Sequence, residues 1–257
     1  MISIIPFLPS FYYGLQAYNA ATEKAPDLQT STGYRISPGT DLYNSALNQN
    51  DGSRLKDRLY PYLQESPNYS PLSLEKIRED LIIIVQPNSG LAYAVGTNYF
   101  MNGAAIISID SEAYRTHSEA CDWLAIHELA HIRNNDHFKI PLVAAISSAA
   151  AAIFSFSKMT TTHSALFALA VGTAAAVSFT YYREGKADDE ANELASADTL
   201  RAAKKYLESE LQKNIKSREK GTLHKFLLSS SGECRLDVWH PSLASRIKKI
   251  EIKLQQQ

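Results

Sequence analysis

Cysteine and net charge are both scarce in this sequence. Its two cysteines, Cys121 and Cys234, lie far apart and form no C-x-x-C pair, so neither a disulfide framework nor a thiolate metal site is expected. The formal net charge is −1, and no basic stripe carries interleaved aromatic residues, which argues against nucleic acid as a partner. There is also no internal repeat or low-complexity tail. These absences leave an ordinary globular or membrane-associated chain of one large domain or two small ones.

An H-E-x-x-H sequence, from His127 to His131, lies in the run Ser118–Asn134, whose pattern predicts a helix. Residues four apart share a helix face, so both imidazoles can reach one metal ion. Glu128 would lie beside that ion, where it could take a proton from a bound water. Catalytic zinc sites use about three protein ligands, so the motif needs a third residue from elsewhere in the chain.

The region before the motif predicts a small sheet. Ser73 is a candidate cap for a short helix, and Pro87–Gly90 predicts a turn. An edge strand of such a sheet can hold an extended peptide across a metal site. Short runs rich in apolar residues predict three strands, at Leu81–Val85, Leu91–Val95 and Ala104–Ile109.

Charge is absent from Met1–Thr22, although this segment lacks the basic start of a signal peptide. Pro6 and Pro9 would disturb a long regular helix there. We interpret residues 1–22 as a membrane-associated or interfacial segment, with a buried amphipathic terminus as the alternative. Residues 23–71 predict an irregular N-terminal region with a short helix near Asp51–Tyr60.

Two further uncharged runs, Ile140–Ser157 and Ser164–Tyr182, predict an apolar helical hairpin over residues 140–182. Their many small residues permit close helix packing in a bilayer, which favours a transmembrane hairpin. A buried hairpin in a soluble core is the alternative. Basic residues flank the base of the hairpin more than its tip, so the positive-inside rule places the H-E-x-x-H side in the cytoplasm.

The composition becomes charged again at Arg183, and Arg183–Lys220 predicts one long helix. Glu184 and Asp188 are four residues apart on one face of it. Such a pair is usually a solvated helix face, but beside H-E-x-x-H a carboxylate here could complete a His-His-Glu site. Asp188 could then accept a hydrogen bond from a ligand imidazole. Pro241 predicts the start of a final amphipathic helix.

Together these motifs resemble the HtpX and CAAX prenyl-protease type of membrane zinc metallopeptidases, a gluzincin family. The family pairs H-E-x-x-H with a later E-x-x-x-D, to which Glu184 and Asp188 are similar. It often has a His-Pro and an Arg-Ile near its C-terminus, to which His240 and Arg246 with their following residues are similar. The resemblance covers roughly residues 72–253, and the first seventy residues do not follow it.

The resemblance implies an α+β, mainly helical zincin-like metalloprotease domain over residues 72–257, with a small sheet and the apolar hairpin inserted at 140–182. It implies one Zn2+ per chain, held by His127, His131 and Glu184, with Asp188 in support. Glu128 is then the general base, His240 stabilises the oxyanion, and Arg246 ties its segment to a carboxylate of the site.

The implied function is a membrane-associated zinc endopeptidase, multi-pass in the membrane, with its active site on the cytoplasmic side. Its expected partners are a protein or peptide substrate and a membrane. Two alternatives remain: a catalytically inactive membrane protein with a structural metal site, and a soluble or secreted zinc protease with a buried hairpin.

Overall fold

The structure is a computed structural model that describes residues 4–22, 28–29, 35–36, 51–67, 70–86, 92–96 and 105–257. Helices carry most of the described chain. They are α1 (Leu8–Thr22, preceded by a 3-10 turn at Ile5–Phe7), α2 (Asp51–Gln64), α3 (Pro71–Asp80), α4 (Ser111–Thr116), α5 (Ser118–Asn134), α6 (Asp136–Phe156), α7 (Thr161–Leu194), α8 (Ala197–Arg218), α9 (Thr222–Leu227) and α10 (Leu243–Gln256). The strands are β1 (Leu28–Gln29), β2 (Arg35–Ile36), β3 (Leu81–Gln86), β4 (Ala92–Gly96) and β5 (Ala105–Asp110).

The main sheet has the strand order β3-β5-β4, with β5 parallel to β3 and antiparallel to β4. The three strand predictions are confirmed, each with bounds shifted by one residue or less. The predicted turn at Pro87–Gly90 lies outside the described residues. Ile106, Ile107 and Ile109 of β5 are fully buried, as expected for a central strand covered by helices. β4 is an edge strand of this sheet, and it lies against α5.

Helix α5 runs through the centre of the fold and has the predicted bounds. All its residues from 120 to 132 are buried, because β4, β5, α7 and α8 pack around it. The helix predicted near Asp51–Tyr60 is also present, as α2, and it extends to Gln64. Its buried residues Leu55, Leu59 and Leu63 join the same core, so α2 is part of the body that holds α5.

The two uncharged runs form α6 and α7, joined by a short polar turn, as the pattern predicts. The prediction of one helix over Arg183–Lys220 is wrong. The chain beyond Arg183 continues α7 without a break, so that α7 is 34 residues long. The helix ends at Leu194 because the next residues are extended, and Ser196 starts α8 by accepting a hydrogen bond from the Thr199 amide.

Helix α1 lies along α6 and also contacts α7. Pro6 lies in the 3-10 turn and Pro9 in the first turn of α1. The missing N–H of proline costs no intrahelical hydrogen bond at these positions, because the first amides of a helix have no partner within it. The Tyr13 hydroxyl is 2.7 Å from the Thr173 hydroxyl. A Cβ at Gly172 would come within 3.0 Å of Tyr13, Ser148 and the Ala144 carbonyl. A glycine is therefore required where these three helices meet.

Among the described residues, α6 and α7 are the two helices long and apolar enough to cross a membrane. That test rests on length and composition, and a core helix of a soluble protein can pass it too. Only 28% of the most apolar window of α6 and 22% of that of α7 is buried, however. Large apolar side chains such as Ile146, Ile153, Phe154 and Leu166 point outwards.

Candidate metal centre

Helices α5 and α7 bring the three expected ligand residues together. The Nε2 atoms of His127 and His131 are 3.2 Å apart. Glu184 places one carboxylate oxygen 3.2 Å from His127 Nε2 and the other 3.2 Å from His131 Nε2. Ligands of a tetrahedral zinc ion with bonds of about 2.1 Å lie about 3.4 Å from one another. The three side chains therefore fit a small divalent metal ion with little adjustment.

An aspartate lies behind each candidate ligand histidine, and an arginine pairs with each aspartate. On one side, His131 Nδ1 is 2.9 Å from Asp136 Oδ2, and Arg183 Nε donates to Asp136 Oδ1 at 2.8 Å. Such partners fix the ring orientation and the tautomer, so that Nε2 presents its lone pair to a metal.

On the other side, His127 Nδ1 is 3.0 Å from Asp188 Oδ1, although the oxygen lies off the direction that a hydrogen bond prefers. Asp188 also accepts hydrogen bonds of 2.8 to 3.1 Å from Nε and a terminal nitrogen of Arg246. The Arg246 guanidinium lies over the Trp123 ring, 5.0 Å from its centroid. Arg246 therefore holds Asp188 in place and does not itself reach the ligand atoms.

Asp136 reaches His131 because the chain turns sharply at Asn135. Asn135 is left-handed, with φ 57° and ψ 40°, and it both ends α5 and starts α6. Asparagine tolerates this conformation better than most residues. The turn folds the first residue of α6 back against the last turn of α5, where the Asp136 carboxylate meets the imidazole.

The carboxylates give this centre a strong preference for positive charge. Burial disfavours the charged form of His131, but hydrogen bonds to Asp136 and Glu184 outweigh it and raise the pKa of His131 to about 10. Burial would likewise raise the pKa of Glu184, but hydrogen bonds to His127 and His131 hold it well below its usual range. The same buried field that favours protons on the imidazoles favours a divalent cation between them.

The centre opens into a cleft of about 820 Å³. Glu128 lines this cleft and is 9% exposed, so its carboxylate can meet a water molecule in the cleft. Ala92 of the edge strand β4 lines it too, as do Ile140 and Tyr181 at the base of the α6–α7 hairpin. An extended chain entering the cleft would therefore pass between the sheet edge and the metal ligands.

His240 stands at the rim of the cleft and is about half exposed. Its Nε2 atom lies 3.9 Å from Glu184 Oε2. Its Nδ1 atom lies 2.8 and 3.0 Å from the two carboxylate oxygens of Asp237. Asp237 is itself held by the backbone amides of Trp239 and His240. The imidazole is thus oriented with Nε2 towards the ligand cluster.

The structure brings together every residue that the sequence singled out for this centre, and adds two that the sequence reasoning missed. Asp136 lies five residues after His131, a spacing that no helical period would single out. Asp237 precedes His240 by three residues in a loop, and only the Asp–x–x–His spacing could have drawn attention to it. The seven anticipated residues are His127, Glu128, His131, Glu184, Asp188, His240 and Arg246.

A helix that carries H-E-x-x-H, a carboxylate from a second helix and a small sheet beside them define the class of metal-dependent peptidases. Comparison with protein-family models matches residues 76–253 to Peptidase family M48, and the chain belongs to that family. Membership implies a metallopeptidase, a hydrolase that acts on peptide bonds. No curated protein and no solved structure matches the chain significantly.

Proposed function

We propose that this protein is a membrane-associated zinc endopeptidase of the HtpX and CAAX prenyl-protease type. The observation that carries the proposal is the cluster of three ligand atoms about one small volume, with Glu128 beside it in an open cleft. Two imidazoles and one carboxylate are the donor set typical of catalytic zinc in peptidases, and they leave one position for water. One ion per chain is expected.

When bound, zinc supplies a Lewis acid that polarises the scissile carbonyl and lowers the pKa of water to about 7. The Glu128 carboxylate takes the proton of the attacking water and delivers it to the leaving amine. Asp237 lies 2.8 Å from His240 Nδ1, and this contact turns the Nε2 side of the ring towards the cleft. A proton on Nε2 would there be donated to the oxyanion of the tetrahedral intermediate. Arg246 acts indirectly, as a positioning residue for Asp188.

The substrate is a protein or peptide that binds as an added strand. β4 is an edge strand beside α5, and its first residue, Ala92, lines the cleft. A sheet edge offers free backbone groups that pair with an extended polypeptide whatever its side chains. This mode of binding suits an enzyme that cleaves many unfolded or misfolded segments.

The proposed membrane part comprises the α6–α7 hairpin, inserted at residues 140–182, together with the segment 1–22. The outer faces of these two apolar helices carry Ile153, Phe154 and Leu166. Contact with lipid is energetically more favourable for such faces than contact with water. Arg183 and Lys186 follow the hairpin at its base, which favours a cytoplasmic active site in a multi-pass protein. In this division of the chain, residues 23–71 lie between the first segment and the peptidase domain at 72–257, and their helix α2 packs into the core of that domain.

The proposal is tested by measuring zinc content and casein cleavage in three purified variants. Glu128→Gln is expected to keep one zinc ion and to lose cleavage by about 100-fold or more, because the general base is gone. Glu184→Ala is expected to lose both zinc and cleavage. Glu193→Gln, an exposed carboxylate on the same helix α7, is the matched control and should change neither.

Unchanged cleavage by Glu128→Gln would refute the mechanism. Full zinc occupancy in the wild type with no hydrolysis of any unfolded substrate would instead identify a structural metal site. Extraction of native membranes at alkaline pH tests the hairpin separately, because a spanning protein stays in the pellet and a soluble one is released.

A further inference from the structure

A second group of exposed apolar side chains lies away from the hairpin, on α9 and on the loop 234–240. Leu223 and Phe226 on α9 are each 67% exposed, which is unusual for large apolar residues outside a binding surface. Every residue from 234 to 240 is exposed as well. The group comprises Leu223, Phe226, Leu236, Val238 and Trp239.

Backbone contacts place α9 and this loop side by side. The Arg235 amide donates to the Leu227 carbonyl at 2.8 Å, and Leu228 and Cys234 form an isolated antiparallel bridge. Asn214 on α8 holds the turn between them by donating to the Gly232 carbonyl at 2.9 Å. The two segments that carry the five apolar side chains are therefore held together.

The loop is also tied to α10. The two carboxylate oxygens of Glu233 accept hydrogen bonds from the amides of Leu243 and Ala244 in the first turn of that helix, at 3.0 and 2.8 Å. The Glu233 carboxylate thus caps the N-terminus of α10 and forms no ion pair with the described lysines and arginines nearby.

Cations are frequent in the same part of the chain. From Lys213 to Lys225 the chain carries five lysines and arginines and one carboxylate, Glu219. Some lysines elsewhere are paired, as Lys204 is with Glu251 and Lys249 with Asp189. Within the described part of the chain, four exposed cations of α8, α9 and the adjoining turns form no ion pair, namely Lys216, Lys220, Lys225 and Arg235. We call these four residues and the five apolar ones the basic-apolar patch.

We propose that the basic-apolar patch docks on the headgroup layer of an anionic lipid bilayer. Apolar and aromatic side chains enter the interface, where tryptophan is preferred, while lysine and arginine bind the negative surface. Each basic residue near such a surface strengthens association about fivefold, so four unpaired cations give a strong preference for anionic over neutral lipid. A polypeptide partner would need an apolar segment with carboxylates around it. An anionic lipid surface meets both requirements without a specific sequence.

The patch is continuous with the cleft, because Asp237 and His240 line the cleft while Val238 and Trp239, between them in sequence, belong to the patch. Ile140 and Tyr181 line the same cleft from the base of the hairpin. Docking of the patch beside an inserted hairpin would hold the mouth of the cleft at the lipid surface. This consequence for substrate access rests on the proposed function, whereas lipid docking itself does not require catalysis.

Tryptophan fluorescence tests the docking directly, because the protein has two tryptophans and Trp123 is fully buried. The full-length Glu128→Gln chain is placed in nanodiscs of phosphatidylcholine, with or without phosphatidylglycerol, and quenched with acrylamide. In anionic discs we expect the quenching constant of Trp239 to fall about threefold or more and brominated lipid to quench it. A Trp239→Phe variant supplies the Trp123 background, which should be the same in both discs.

Lys220→Glu/Lys225→Glu is expected to abolish the protection. Lys205→Glu/Lys248→Glu makes the same charge change at exposed lysines outside the patch and should keep it. Equal acrylamide access in neutral and anionic discs would overturn the proposal, as would protection by added casein without lipid. Because the chain tested is already inactive, a failed protease assay and a failed docking assay are separate results.

Discussion

The molecule consists of two regions that are built in opposite ways. The arm, made of α1, α6 and the first part of α7 up to Tyr182, turns large apolar side chains outwards and packs small residues such as Ala152, Ser164, Ala168 and Gly172 inside. The body, made of the other described elements, buries most of its large apolar side chains outside the basic-apolar patch. It also buries charged or ionisable groups, among them His131, Asp136 and Asp188.

With the arm inserted in a membrane, as proposed, each region is suited to a different medium. An outward apolar surface costs free energy in water, about 25 cal/mol for each Å² left exposed, but costs nothing in hydrocarbon. A buried carboxylate is costly unless a cation and hydrogen bonds compensate it, as Arg183 does for Asp136 and Arg246 for Asp188. The stability of the arm therefore depends on the medium around it, whereas the stability of the body depends on its internal ion pairs.

The largest effect is expected from removing one charge of a buried pair in the body. Asp136→Asn and Asp188→Asn keep the side-chain shape but weaken the hold on a ligand imidazole and leave an arginine without its carboxylate. We expect each variant to bind zinc about 10- to 100-fold more weakly, measured by competition with a chromophoric chelator.

Asp189→Asn is the matched control for these two changes. Asp189 follows Asp188 directly and pairs with Lys249, but its side chain is 45% exposed, so solvent screens its charge. Its zinc affinity should equal that of the wild type. If Asp136→Asn binds zinc as tightly as Asp189→Asn does, Asp136 does not support the centre.

A smaller effect, confined to the arm, is expected from Gly172→Ala. The added Cβ would lie 2.5 Å from Ser148 Oγ and 3.0 Å from the Ala144 carbonyl, so α6 and α7 would have to separate. We expect a loss of about 1–3 kcal/mol in the free energy of unfolding, seen as a lower Tm in detergent, with zinc content unchanged.

The control for Gly172 is Gly14→Ala on α1, where an added Cβ meets nothing within 4 Å. This change should leave the Tm equal or slightly higher, because alanine favours helix over glycine. A loss of zinc from Gly172→Ala would mean that helix packing in the arm affects the metal centre in the body.

The smallest effect concerns the two thiols, both of which lie in the body. Burial raises the pKa of Cys121 to about 12, so at pH 8 it is a neutral thiol closed to reagents. Cys234 is exposed and lines the cleft. A maleimide should therefore label one thiol per native chain, which peptide mapping would locate at Cys234, and label two after unfolding. Labelling of Cys121 in the native state would show that the core of α5 opens.

The sequence was informative where the signals are local. Helix α5 and its motif, the two hairpin helices and the three strands of the main sheet follow from spacing, run length and composition over neighbouring residues. Glu184 and Asp188 were found because their spacing repeats a helical turn and resembles a family motif.

The rest depends on chain geometry that composition does not reveal. Asp136 joins the centre only because Asn135 adopts a left-handed conformation, and Asp237 only because a loop folds back on His240. The end of α7 was missed because Ala195 and Ser196 differ little in composition from a helix interior, whereas the Ser196 cap is a matter of conformation. The packing of α1 against α6 and α7 could not be predicted either. An uncharged helix has no polar face from which the buried face could be identified.

The order of the proposed metal ligands along the chain has a consequence for how the enzyme is made. His127 and His131 leave the ribosome before the hairpin, and Glu184 leaves it two residues after the last hairpin residue, Tyr182. A growing chain therefore has only two ligands until the whole hairpin has been translated and has folded back on itself. His240 and Arg246 are translated later still, so the complete set of residues at this centre is present only after the hairpin has been made.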